Sequence, residues 1–229
     1  MITTVDVETS WQVTSNGGYD PSPFHPDNIL VSVGINDEYY FTNHSERIDK
    51  GCYHNIQSIL DKTTLLIGHN IKFDLMWLLE SGFKYNARVY DTMLGEYILN
   101  RGIRKSLTLE MSCRRRRIGS KDSRIKEFTD RGIPFQNIPV GLVEEYGRMD
   151  VEITRNLFNS QMADFKMPKN KHLLKTAKMM NEFLIVLSDM ERNGINVSLD
   201  ELGKVEREYR AEFAYLKQSI YLVPSNYLG

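Results

Sequence analysis

At 229 residues the chain exceeds one typical domain of about 150 residues and can bury a core without staples. With 41% hydrophobic and 26% charged residues it is not a disordered tail, and two cysteines, Cys52 and Cys113, exclude a disulfide framework or a Cys/His zinc site. No apolar run approaches the roughly 20 residues of a membrane span, and residues 1–8 lack the basic start of a secretory signal, so a cytoplasmic location in a bacterial or phage-infected cell is expected. The net charge of −1 hides a strong asymmetry. Between Arg101 and Arg131 stand eleven basic residues and four acids, a local net charge of +7, so the remainder carries −8. Such a stretch suits a polyphosphate track, and a solvated loop explains it equally well.

In chain order, residues 1–9 alternate as a strand, with Asp6 and Glu8 on one face and Val5 and Val7 on the other. Residues 15–28 are rich in Gly, Pro and Asn and read as a loop, and Ile29–Gly34 and Tyr39–Thr42 pair as a hairpin. A helix around Tyr53–Leu60 leads to a short buried strand, Thr64–Gly68. The helix over 70–81 has Phe73, Met76, Trp77 and Leu79 as its apolar set and stops at Gly82. Val89 and Tyr90 form a further strand before a helix at Thr92–Leu99, and Asp91 reads as that helix's N-terminal cap rather than a metal ligand. The basic segment 101–139 has little periodicity and is expected to be partly mobile. Val140–Phe165 is a long helix carrying Leu142, Val143, Tyr146, Ile153, Leu157 and Phe158 at helical spacing. Lys166–Lys171 breaks the pattern and sets the expected boundary between a domain at 1–165 and an extension at 166–229. That extension holds two helices, His172–Arg192 and one opened by the capping box Ser198-x-x-Glu201. The fold class is α/β: a mixed sheet flanked by helices, with a C-terminal helical hairpin.

Three acidic sites carry the chemistry: Asp6-Val7-Glu8 on a strand, Asp74 in the first turns of a helix, and Tyr146-x-x-x-Asp150 on one helix face. A carboxylate on a core-facing position is costly unless a cation or donor meets it. Four carboxylates without His or Cys partners are hard oxygen ligands suited to Mg²⁺ or Mn²⁺. Two such ions activate water and stabilise the leaving oxygen of a phosphodiester.

These residues resemble the DEDD 3′–5′ exonucleases of the ribonuclease-H-like fold, in the subgroup with Tyr in the third motif. The first motif is Val5-Asp6-Val7-Glu8-Thr9, the second Gly68-His69-Asn70-Ile71-Lys72-Phe73-Asp74 and the third Tyr146-Gly147-Arg148-Met149-Asp150. The nearest likeness is to the proofreading domain of family A DNA polymerases, especially phage enzymes that begin at the first motif. Glu182–Leu184 through Met190–Val197 resembles the connection from exonuclease to polymerase thumb, and polymerase motifs are missing.

The resemblance implies a two-metal 3′–5′ exodeoxyribonuclease releasing nucleoside 5′-monophosphates. Asp6, Glu8 and Asp150 would ligate the ion that activates water, Asp6 would bridge to a second, and Asp74 would hold that one. Tyr146 would orient the nucleophile. Thr9, Trp11, Asn70 and the run Arg114, Arg115, Arg116 and Arg117 would contact the substrate. Gln12 departs from the apolar residue that often stacks on the terminal base, which leaves Trp11 or the loop Tyr19–Phe24 for that role. The implied partners are single-stranded DNA or primer 3′ ends and a DNA polymerase subunit or domain, with no membrane and a monomeric chain. A ribonuclease D-like exoribonuclease and a non-catalytic clamp are the alternatives.

Overall fold

The structure, a computed structural model, describes residues 1–119 and 124–221. Lys121 and Asp122 of the basic segment lie outside the described residues. Five strands form one sheet in the order β5-β4-β1-β6-β7, where β1 is Ile2–Thr9, β4 Leu30–Ile35, β5 Glu38–Phe41, β6 Leu65–Gly68 and β7 Arg88–Asp91. β1 is antiparallel to β4 and parallel to β6, so it is the seam between an antiparallel meander and a parallel half. Inside the expected loop, β2 (Gln12–Val13) and β3 (Tyr19–Asp20) make a small separate ladder.

The alternation of β6 shows how the layers divide. Leu66 joins one core with Val5, Val7, Ile56 of helix α1 (Cys52–Asp61) and Leu75 of α2 (Ile71–Glu80). Its neighbour Ile67 joins the opposite core with Ile98 of α3 (Thr92–Leu99) and Phe158 of α6 (Val140–Lys166). Successive strand residues point to opposite faces, and helices cover both. The buried face of α2 is Ile71, Asp74, Leu75, Trp77 and Leu78, which replaces the expected set of Phe73, Met76 and Leu79 and keeps only Trp77 from it. This helix is apolar nearly all round, so tertiary packing selects the face.

Two further helices, α4 (Leu109–Arg116) and α5 (Arg124–Thr129), and a 3₁₀ turn at Phe135–Asn137 organise the basic segment. Helix α7 (Leu173–Asn193) buries Ala177, Asn181, Leu184 and Ser188. The chain divides into two compact units, Met1–Arg192 and Asn193–Gly229, so α7 up to Arg192 lies in the first, as does position 166, where the sequence suggests a boundary. The second unit contains α8 (Leu199–Tyr221), opened by the expected cap, in which the Glu201 amide donates to Ser198 Oγ at 3.3 Å. No described helix is long and apolar enough to cross a membrane.

Candidate active site

Strand β1 and helix α6 meet where the acidic residues lie. Asp6, Glu8 and Asp150 each offer a carboxylate oxygen within 4.8 Å of the others, and Glu8 and Asp150 are buried. Close packing brings them together, because two glycines let α6 approach the sheet. A Cβ on Gly34, the cross-strand partner of Asp6, would fall 2.8 Å from Val151 Cγ2. A Cβ on Gly147 would fall 2.4 Å from both Cε2 and Oη of Tyr39. The Tyr39 ring is 4% exposed, and its hydroxyl lies 2.8 Å from Ser32 Oγ and donates to Val143 O at 3.3 Å. Ser32 is in turn the cross-strand partner of Glu8. Burial first, and then the Glu8 charge, raise the Tyr39 hydroxyl well above its ordinary pKa, so it is a neutral wedge between sheet and helix.

Asp74 arrives from the opposite layer. It is 2% exposed, and its Oδ1 accepts a hydrogen bond of 3.0 Å from the Val7 amide, between Asp6 and Glu8 in sequence. Burial and then the neighbouring Asp6 charge raise its pKa well above the carboxylate range. Asp74 therefore stands beside the group of three rather than within it. The donor set is oxygen only, acidic and, apart from the half-buried Asp6, buried, which fits a hard divalent cation: such a charge offsets both the burial and the mutual repulsion.

An aromatic row leads away from the acids. Trp11 makes edge contacts with Tyr19 at 5.6 Å and with Phe135 at 5.9 Å, and Phe135 lies 6.0 Å from Tyr146. Phe135 is not singled out by the motif reasoning; the visible signal is its Pro-flanked position immediately before α6. Thr9 is buried at the end of β1, past an irregularity in the register between Glu8 and Thr9. Asn70 is exposed and takes a left-handed conformation (φ 60°) as the cap of α2.

The four arginines separate into two kinds. Arg116 pairs with Glu96, which is 2% exposed, and donates to Ser160 Oγ at 3.0 Å and Asp164 Oδ2 at 2.6 Å. Arg115 donates to Ser106 O at 2.7 Å and to Glu96 Oε2 at 3.3 Å. These two pin α4 to α3 and α6, whereas Arg114 and Arg117 are exposed. His69 bonds within the fold, with Nδ1 2.9 Å from Thr92 Oγ1 and Nε2 2.9 Å from Leu107 O.

A family model described as 3'-5' exonuclease matches residues 23–163, a span that includes Asp74, Tyr146 and Asp150 and starts after Asp6 and Glu8. DNA polymerase I of Borreliella burgdorferi is 26% identical over 145 residues, covering 63% of this chain and 15% of that protein, so the chain spans a small part of this relative. Among solved structures, Brucella melitensis NrnC with bound Mg²⁺ superposes with a TM-score of 0.60 at 18% identity, covering 84% of this chain and 86% of that one. The POL domain of Pol1 from M. smegmatis, in complex with DNA primer-template and dNTP, gives a TM-score of 0.64 at 15% identity over 93% of this chain and 33% of that one. These two likenesses establish the ribonuclease-H-like fold.

Proposed function

We propose that this chain, which belongs to the 3'-5' exonuclease family of DNA polymerase A, removes nucleotides from DNA 3′ ends as 5′-monophosphates in the service of a polymerase. The observation that carries the proposal is the convergence of Asp6, Glu8 and Asp150 within 4.8 Å on elements from distant parts of the chain. These three would hold one Mg²⁺ or Mn²⁺, and Asp6 with Asp74 a second. Bound divalent cations supply activation of water and neutralisation of phosphate charge.

The chain's own residues supply position. The Tyr146 hydroxyl, one helical turn before Asp150, would hold the attacking water in line with the terminal phosphodiester. Trp11 and Phe135 form an apolar wall on which unpaired bases can stack, a contact that tolerates any base. Thr9, next to Glu8 on β1, and Asn70, which caps the helix carrying Asp74, would contact the terminal nucleotide. Arg114 and Arg117 would meet the backbone of the incoming strand, whereas Arg115 and Arg116 contribute by fixing α4. The polymerase association rests on the Borreliella relative, a DNA polymerase I.

The test is a digestion ladder on 5′-labelled DNA and RNA single strands and a mismatched primer-template, with Mg²⁺, Mn²⁺ or EDTA. A 3′-shortening DNA ladder that EDTA abolishes is expected. A ladder on RNA alone overturns the substrate assignment, and none on any substrate overturns the enzymatic one.

A further inference from the structure

The last residue of β7 joins three elements that the motifs treat separately. Asp91 is 1% exposed. Its Oδ1 accepts from the Met93 amide at 2.8 Å, which caps α3 as expected, and also from the Asn70 amide at 2.9 Å, which no helix-capping pattern requires. Asn70 has φ 60° and ψ 41°, the left-handed region, which asparagine enters more readily than other non-glycine residues and which a fixed acceptor for its amide favours further. Four residues after Asn70, α2 delivers Asp74 to the Val7 amide at 3.0 Å. On its other side Asp91 is anchored to α7, its own amide donating to Asn181 Oδ1 at 2.6 Å, with Asn181 4% exposed. Among the described residues Asp91 Oδ2 has no hydrogen-bond partner, and Oδ1 takes both of these amides. The tether thus runs from α7 through Asp91 and Asn70 along α2 to the backbone between the two acids of β1.

We propose that Asp91 is a positioning residue for the acidic centre: its Oδ1 holds Asn70 in the left-handed conformation and thereby sets where α2 presents Asp74. This rests on the proposed exonuclease reading for its kinetic consequence and on geometry alone for its structural one. Shape and acceptor geometry do the work, so an isosteric amide keeps the function and a shorter side chain loses it. Serine is the informative replacement, because it remains a good cap for α3 but is too short to reach Asn70 as well.

The full chain is compared with Asp91→Ser, Asp91→Asn and Asp91→Ala. Three readouts are used: amide hydrogen exchange at Asn70 and Val7 in metal-free protein, Mn²⁺ titration, and kcat and KM on single-stranded DNA. In Asp91→Ser and Asp91→Ala, protection at both amides falls at least tenfold, Mn²⁺ binds about tenfold more weakly, and kcat drops about tenfold or more with KM within twofold. Asp91→Asn stays within threefold of the parent on every readout. Unchanged Val7 protection in folded Asp91→Ser overturns the proposal, as does an Asp91→Asn protein impaired as severely as Asp91→Ala. If Asp91→Ala does not fold, the serine and asparagine proteins decide. If the parent cuts no nucleic acid, the exonuclease reading fails, and the exchange readout still judges the tether.

Discussion

Replacing Gly147 with alanine adds one methyl group to α6 at the point where it crosses β4 and β5. In an open helix this change stabilises by about 1 kcal/mol through backbone propensity. Here the new Cβ would sit 2.4 Å from both Cε2 and Oη of Tyr39, about 1 Å inside ordinary contact. The ring cannot turn aside freely: it is 4% exposed, bonded to Ser32 and Val143, and overlaid by the Arg148 guanidinium at 5.8 Å. Overpacking of this kind costs about 1–3 kcal/mol, and a rigid buried ring puts it near the top of that range. Gly147→Ala should therefore be net destabilising by about 1–2 kcal/mol, the reverse of the propensity effect. The shift that relieves the clash carries Tyr146 and Asp150 away from β1, and a displacement of about 1 Å can cost about 100-fold in kcat. Tyr39→Leu removes the obstructing ring, so in the double replacement the two penalties should be sub-additive by about 1–3 kcal/mol and part of the activity should return. Urea unfolding of the four proteins with matched slopes, together with their cleavage rates, measures this. A Gly147→Ala protein more stable than the parent with full activity, or strictly additive penalties, would refute the idea that the ring sets the spacing of helix and sheet.

Asp6→Ala or Asp150→Ala should abolish cleavage while raising the metal-free melting temperature, since a charge leaves an acidic cluster; Tyr146→Phe should slow cleavage less than either, and equal loss would point to a structural tyrosine. Arg116→Gln should cost about 3 kcal/mol by leaving Glu96 buried without its main partner, whereas Arg114→Gln should leave stability within about 0.5 kcal/mol and lower the salt slope of single-strand binding by about 0.7. Similar unfolding midpoints for the two proteins would contradict the division between tethering and exposed arginines. Burial raises the Asp91 carboxyl to about 6, against the opposing pull of the Met93, Asn70, Leu94 and Ile71 amides. Between its unfolded value near 4 and this folded value the native state binds more protons, so stability should fall by up to about 3 kcal/mol as pH rises from about 4 to 6. Asp91→Asn should flatten that part of the pH–stability curve, and an unchanged curve would mean that Asp91 is not the group responsible.

How much of this is legible in the residues depends on whether the signal is local. The strand at 2–9, the helix at 92–99 with its Asp91 cap and the long helix carrying Tyr146 and Asp150 follow from period and capping chemistry alone. The family model and the relatives support the exonuclease resemblance that the three motifs suggest. Other features depend on partners distant in the chain. Arg115 and Arg116 look like a cationic track until Glu96, 19 and 20 residues earlier, is seen to claim both. Asn181 and Ser188 share the buried face of α7 with Ala177 and Leu184, and a polar side chain there gives no sign of burial in the sequence, because what Asn181 answers is a backbone amide of β7. The Tyr39–Gly147 contact spans more than a hundred residues, and nothing in Tyr-Gly-Arg-Met-Asp announces a ring lying against that glycine.

The acids at positions 6, 8, 74 and 150 come together only when the central strand meets two helices, α2 and the far more distant α6. Contacts of such long sequence separation form late, because loop closure must be completed before they contribute. A partly folded chain in which β1 has found β4 but not α6 therefore holds Asp6 and Glu8 without Asp150. Competence to cut would then appear together with the last cooperative step of folding, so that the recovery of nuclease activity during refolding is a clock for the docking of α6, distinct from the earlier recovery of helical content.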